Sequence, residues 1–409
     1  MKKSDGGASR SSGGKGAGSA AACICTVLLA AAAAVPAVSE ASEIQKKFIR
    51  GNLADKTAAV REASGDEAAA LSRTAVAFAI ENKALLGNDR ELAALAVAGI
   101  LSLPADNVDS LTQEEKDGIC DDFLNLYTLF DDTTVKIAVL NRIAVLKLPE
   151  DRFTELLNEF MKKAKPASEN GALLKAVVSA LGDVGNQDSF VILCQLLNDS
   201  AWSEFAPEIA SAAGGLLEQS LPQAVSLIQK GTAADCRKIF DLAVQNGAIP
   251  YSFKAHIAEN VLSRAIYIAE NSRSAGREVV SLQMDSFRAL ESWKWTRAAQ
   301  TALRFFDAAK AEFDAKSLSE NDFTAVISGI AALAPMGAPQ ALSAYLMQLN
   351  KLKEANLPGP ADPVVLAVIS SLGAIGDKSA FDSLLAVTYY NYSDAVIAEA
   401  RNALARLKW

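Results

Sequence analysis

The chain has 409 residues, half of them apolar but only 7% aromatic, and a formal net charge of −8. That much Ala, Leu, Val and Ile excludes disorder for the body of the chain. Five cysteines in this length exclude a disulfide framework, and a single histidine, His256, excludes His-rich metal sites. The acidic balance opposes nucleic acid and anionic lipid as partners.

Residues 1–19 are rich in Gly and Ser and carry Lys2, Lys3, Arg10 and Lys15 against Asp5. An uncharged, Ala-rich run follows from Ala20 to Ser39, closing on Val35-Pro-Ala37 and Ser39-Glu-Ala41. Basic, apolar and small-residue segments in that order predict a signal peptide over 1–41, cleaved after Ala37 or Ala41. The expected location is periplasmic or secreted, with no membrane span in the mature chain. The alternative is an inner-membrane anchor through residues 20–39, a run about long enough to span a bilayer. Cys23 and Cys25 stand at the start of that run rather than after it, which opposes a lipid anchor. Cys120, Cys194 and Cys236 remain, an odd number that leaves at least one thiol unpaired. Cys194, within Val191-Ile-Leu-Cys-Gln-Leu-Leu197, reads as a small buried hydrophobe.

From Ile44 to Leu407 the apolar pattern is helical. Leu71, Ala75, Phe78 and Leu85 recur at helical steps, as do Phe123, Leu126, Leu129 and Phe130. Helix starts are predicted at Ser64-x-x-Glu67, Ser110-x-x-Gln113 and Ser319-x-x-Asp322, as capping boxes, and at Asp362-Pro363. Asp131-Asp132 reads as a further start, and Asp121-Asp122 with it flanks one predicted helix. Stops are predicted at Gly87, Pro104, Pro149 and Gly182.

The chain also resembles itself. An offset of 191 residues lays Ala176–Leu216 on Ala367–Leu407, with identities that include Val177/Val368, Leu181/Leu372, Gly182/Gly373, Gly185/Gly376, Phe190/Phe381, Glu208/Glu399 and Ala212/Ala403. An offset of 39 aligns Val326/Val365, Ile330/Ile369, Leu333/Leu372 and Gly337/Gly376. The unit is an apolar helix, a Gly-containing turn and a second apolar helix, which must stack on neighbours to bury its face. The Gly182-x-x-Gly185 and Gly373-x-x-Gly376 turns are expected to use glycine for positive φ and close helix approach. Three regions result: helical repeats over 42–247, degenerate or enlarged repeats over 248–318, and C-terminal repeats over 319–409.

The segment Ser370-Ser-Leu-Gly-Ala-Ile-Gly-Asp-Lys-Ser-Ala-Phe-Asp-Ser-Leu-Leu385, continued by Ala398-Glu-Ala-Arg-Asn-Ala-Leu-Ala-Arg-Leu407, resembles a HEAT repeat. Its closest likeness is to the short bacterial type first associated with phycobilisome lyases. Ala180-Leu-Gly-Asp-Val-Gly-Asn-Gln-Asp-Ser-Phe190 is similar to the same motif. The resemblance implies an all-α fold, an α-solenoid of stacked antiparallel helix pairs forming a HEAT-like superhelix. At about 39 residues per unit it implies roughly nine pairs.

Chemistry-bearing patterns are scarce. His256 is followed by Ile257, so the His-Glu iron set of some HEAT-repeat enzymes is not matched. No catalytic, cofactor-binding or metal-binding residues are assigned. One cationic stripe stands out, because steps of 3, 4 and 3 predict Lys294, Arg297, Thr301 and Arg304 along one helix face with Trp293 beside it. Arg with Trp is the composition of an interface anchor, so Trp293, Lys294, Arg297 and Arg304 form the candidate interaction surface. Tyr389, Tyr390 and Tyr392 are expected together in a loop of the last repeat. The expected function is an exported, non-catalytic scaffold or adaptor whose partner is another protein. The alternatives are an enzyme or lyase-type subunit on a HEAT scaffold, and an envelope protein that self-assembles.

Overall fold

The computed structural model describes residues 42–103, 105, 111–146, 151–272 and 276–408, and they form helices with no strand among them. The expected signal peptide or anchor, with Cys23 and Cys25, lies outside the described residues, as do Pro104, Ser110 and Pro149. The first helices are α1 (Glu43–Arg50), α2 (Leu53–Glu62), α3 (Gly65–Leu86), α4 (Arg90–Ser102), α5 (Gln113–Leu129), α6 (Thr133–Leu146) and α7 (Asp151–Lys163). Next come α8 (Gly171–Val184), α9 (Gln187–Asn198), α10 (Ala206–Leu216), α11 (Leu221–Lys230), α12 (Ala233–Gln245) and α13 (Tyr251–Glu270). The last are α14 (Arg277–Ser292), α15 (Ala299–Asp314), α16 (Glu320–Leu333), α17 (Ala338–Glu354), α18 (Asp362–Ile375), α19 (Phe381–Val387) and α20 (Asp394–Ala405).

The packing follows a two-row rule. Every even-numbered helix from α2 to α20 packs on the next even one. Among the odd helices α3 packs on α5, α7 through α15 form a run of neighbours, and α17 packs on α19. Sequence neighbours such as α3 and α4, or α13 and α14, join the rows. The molecule is therefore an all-α stack of adjacent helix pairs, an α-solenoid. A contiguous core runs from Val76 to Leu407, and a smaller one around Phe48, Val60, Leu71 and Leu95 closes the N-terminal end. Residues 248–318 hold α13, α14 and α15, of 20, 16 and 16 residues, each longer than any helix from α6 to α12. There α12 packs on α13 and α15 on α16, so the stack is enlarged rather than broken.

The 191-residue repeat is reproduced in space. Adding 191 to the bounds of α8 gives those of α18. A Cβ added at Gly182 would lie 2.9 Å from Cα of Ala212, and one added at Gly373 would lie 2.9 Å from Cα of Ala403. Both partners are identities under the same offset, so each α8/α10 and α18/α20 crossing uses one Gly–Ala contact to bring backbones together.

The structure corrects several local expectations. Gly182 does not stop a helix: it lies inside α8, which ends at Gly185 with φ −72°. Only Gly376, which caps α18, has the positive φ expected of these turns, at 72°. Gly337 is the N-cap of α17 and not an equivalent of Gly376, so the 39-residue offset aligns buried positions but not helix ends. Ser64 precedes α3 without a side-chain cap, and the Glu67 carboxylate accepts a hydrogen bond from the Ser42 hydroxyl. The start predicted at Ser110 is supplied by Thr112 and Glu115, a reciprocal capping box. Ser319 does cap α16, accepting from the Asp322 amide at 3.1 Å. Ala361 rather than Asp362 is the N-cap of α18, with Pro363 in its first turn. Asp132 caps α6 as expected, accepting from the Thr134 amide at 2.8 Å, but Asp121 and Asp122 lie within α5 instead of flanking it.

Three helices among the described residues close on a left-handed residue that is not glycine. Lys294, Lys316 and Asn356 have φ of 52°, 60° and 51° after α14, α15 and α17. In each case the next amide bonds back across the turn: Trp295 to the Leu290 carbonyl, Ser317 to Glu312 and Leu357 to Leu352, at 2.9–3.0 Å. These are Schellman closures, in which a left-handed residue satisfies the last carbonyls of a helix.

Candidate interaction surface

The expected stripe does not lie on one helix. α14 ends at Ser292, Trp293 is its C-cap, and Lys294 in the left-handed conformation turns the chain. A short 3-10 turn, Thr296–Ala298, then leads into α15. A 3.6-residue period cannot continue across that corner, so Lys294 and Arg297 belong to the connection and only Thr301 and Arg304 belong to α15.

The corner nevertheless gathers an aromatic and cations. The indole Nε1 of Trp295 donates to Glu259 Oε2 on α13 at 3.0 Å. That bond fixes the ring, and the Arg297 guanidinium lies 5.3 Å from its centroid. Trp293 and Trp295 are both partly buried and pack against the main core. Lys294 and Arg297 are exposed, and among the described residues neither forms an ion pair. Arg304 is different: it is paired with Glu270 of α13, its Nε donating at 3.3 Å. Of the four residues of the expected surface, Trp293, Lys294 and Arg297 thus lie in the α14–α15 connection, and Arg304 lies in α15, tied to α13. Trp295, which the expected stripe did not include, is the ring that Arg297 covers. The signal that could have shown this is the close pair of Trp295 and Arg297, two residues apart and outside any helix.

The other patterns resolve as follows. His256 is exposed on α13. No group of three His, Cys, Asp or Glu side chains among the described residues is placed to hold a metal. Cys194 and Cys236 are buried, and burial pushes their thiols up to about 12 and about 11. Both are therefore protonated at neutral pH and poor nucleophiles. The tyrosines separate. Tyr389 is 77% exposed, whereas Tyr392 is buried and its hydroxyl donates to Asn350 Oδ1 at 3.1 Å. No helix among the described residues is long and apolar enough to cross a membrane.

Surface grooves went unread in the sequence because they arise between helices distant in the chain. One of about 670 Å³ lies between α10 and the end of α12, bordered by Pro207, Ser211, Glu218 and Asn246. Another of about 760 Å³ lies between the C-terminal ends of α16 and α18. No protein-family model matches the chain, and no curated protein matches it in sequence.

Proposed function

We propose that this is an exported, non-catalytic adaptor of HEAT-repeat type that binds an acidic face of another protein. The observation that carries the reading is the corner between α14 and α15. A tryptophan is held by Glu259, an arginine covers it, and a neighbouring lysine has no partner among the described residues. Rigid aromatic–arginine pairs are the usual anchors of protein interfaces, and an arginine stacked on an indole stays available for bidentate carboxylate contact. A stack of paired helices supports the reading by holding such an anchor on an extended, stiff surface.

The test starts with recovery of a partner from envelope extracts, followed by association kinetics with purified components at two salt concentrations. Arg297→Glu and Lys294→Glu should each slow association, more so at low salt. His256→Ala should leave it unchanged. Arg304→Glu is a poor probe, since it breaks the internal pair with Glu270. Unchanged kinetics in Arg297→Glu would remove the corner from the interface. Export is tested separately: intact mass of the protein from its native host should place the N-terminus at Val38 or Ser42.

A further inference from the structure

The even row is most thinly packed between α10 and α12, and α9 and α11 meet over a similarly small patch. α11 is the cause. It has only 10 residues, starts with Leu221-Pro222, and is followed by α12 after a two-residue connection. It cannot fill the space beside α9, and a cavity of about 210 Å³ opens between α9, α11 and α12.

The lining has a definite polarity. Cys194 and Ile239 form a buried base, and Leu197, Leu227 and Leu242 form walls that are only partly buried. These apolar side chains remain partly wet, and a hydrophobic group placed among them would remove that surface from water. Polar groups collect on the lining, and nearly all are already satisfied. Lys238 donates to the Leu197 carbonyl at 2.6 Å and to Asn198 Oδ1 at 2.7 Å. The Gly231 carbonyl accepts from Arg264 Nε at 3.0 Å. The Asp235 carboxylate accepts from both the amide and the hydroxyl of Thr232 at 2.9 Å. Of the two lysines on the lining, Lys230 is exposed and forms no hydrogen bond or ion pair among the described residues.

We infer that this cavity binds a small amphiphilic carboxylate, its apolar tail among Leu197, Leu227 and Leu242 and its carboxylate at Lys230. A dry apolar cavity of about 150 Å³ takes up benzene, so the space here suits an octyl chain or a phenyl ring with a short extension. Two ammonium groups against one engaged carboxylate select an anionic head over a cationic one. The site is separate from the α14–α15 corner, and it stands or falls independently of the protein-binding reading.

Calorimetric titration of the whole chain with sodium octanoate, with 1-octanol as the uncharged probe, tests the assignment. Octanoate should saturate one site per chain. Lys230→Met changes an exposed side chain and should weaken octanoate about two- to fivefold, the range of an exposed ion pair, while octanol binding stays the same. Leu227→Trp should fill the cavity and abolish binding of both. Leu242→Phe gives a milder filling should the larger ring disturb folding. No saturable octanoate binding up to about 10 mM, well beyond a millimolar dissociation constant, would overturn the proposal. So would octanoate binding that Lys230→Met leaves unaltered, or that survives both fillings.

Discussion

Replacing glycine by alanine inside a helix normally stabilises it by about 1 kcal/mol, because the glycine backbone loses more freedom on folding. Gly373→Ala should do the opposite. Its Cβ would lie 2.8 Å from Cβ and 2.9 Å from Cα of Ala403. Carbon atoms pack best at about 3.5–4.0 Å, so the new methyl is short of its room by about 0.6 Å. The atoms it meets belong to the backbone and first carbon of α20. They have no rotamer to change, so a whole helix must move. Overpacking of this kind costs about 1–3 kcal/mol. Set against the propensity gain, the clash leaves a net loss of up to about 2 kcal/mol. Gly182→Ala, with Ala212 in the same place, should lose a similar amount. Gly118→Ala is the control: it lies within α5 with nothing within 4 Å of an added Cβ, and it should gain most of the 1 kcal/mol. A repeat stack can unfold in parts, so denaturant midpoints should be read together with hydrogen exchange in α18 and α20. If Gly373→Ala and Gly118→Ala shift stability in the same direction, the repeated Gly–Ala crossing does not hold the stack together.

Gly376→Val should destabilise the last repeat by about 1–3 kcal/mol, since φ is 72° and the added Cβ would lie 3.0 Å from the Arg406 carbonyl oxygen; thermal unfolding that overlays the parent would refute it. Lys294→Gly and Lys316→Gly should each raise stability by up to about 1 kcal/mol in the same assay, by relieving left-handed backbone at the Schellman closures. Glu312 and Gln283 are buried with their side-chain oxygens, and the Gln283 amide nitrogen, unpartnered among the described residues. Burial raises the Glu312 carboxyl above its ordinary value, so its folded form prefers the proton. Its contribution is fully present below the ordinary glutamate value and is lost as pH rises through the raised one. Glu312→Gln should therefore exceed the parent in stability at neutral pH, with the gap closing on acidification; a pH-independent difference in unfolding free energy would sink that account.

Much of the fold was legible because helices announce themselves locally. The steps of 3 and 4 in the apolar residues, and an offset that maps α8 onto α18, need no knowledge of tertiary structure. What the pattern concealed was the job of its glycines. Gly182 and Gly373 read as turn residues, because a sequence shows glycine's freedom more readily than a neighbour's approach. Only the packed crossing shows that the missing Cβ matters more than the torsion. Caps failed for a related reason. Ser64-x-x-Glu67 has the right spacing, but Glu67 bonds to Ser42, which no local rule could select.

The single-helix stripe expected for Lys294, Arg297 and Arg304 is broken by a turn that the sequence does not announce. Trp293-Lys-Trp295 contains no glycine or proline, so nothing in it signals that α14 stops; the stop is a left-handed lysine sustained by the Leu290–Trp295 bond. The cavity beside α11 was invisible for the opposite reason, since it is a deficit of packing and depends on helices that do not adjoin in the chain. The corner falls within the part of the stack that repeats least, α13 to α15, and the cavity lies beside it. In a repeat array each unit touches only its neighbours, and the residues that make those contacts are the ones obliged to recur. Trp295, Arg297 and Lys230 have no counterpart among the recurring positions of α8–α10 and α18–α20. Stacking does not require them, which is the physical reason for seeking a partner's and a ligand's contacts there rather than along the regular Gly–Ala crossings.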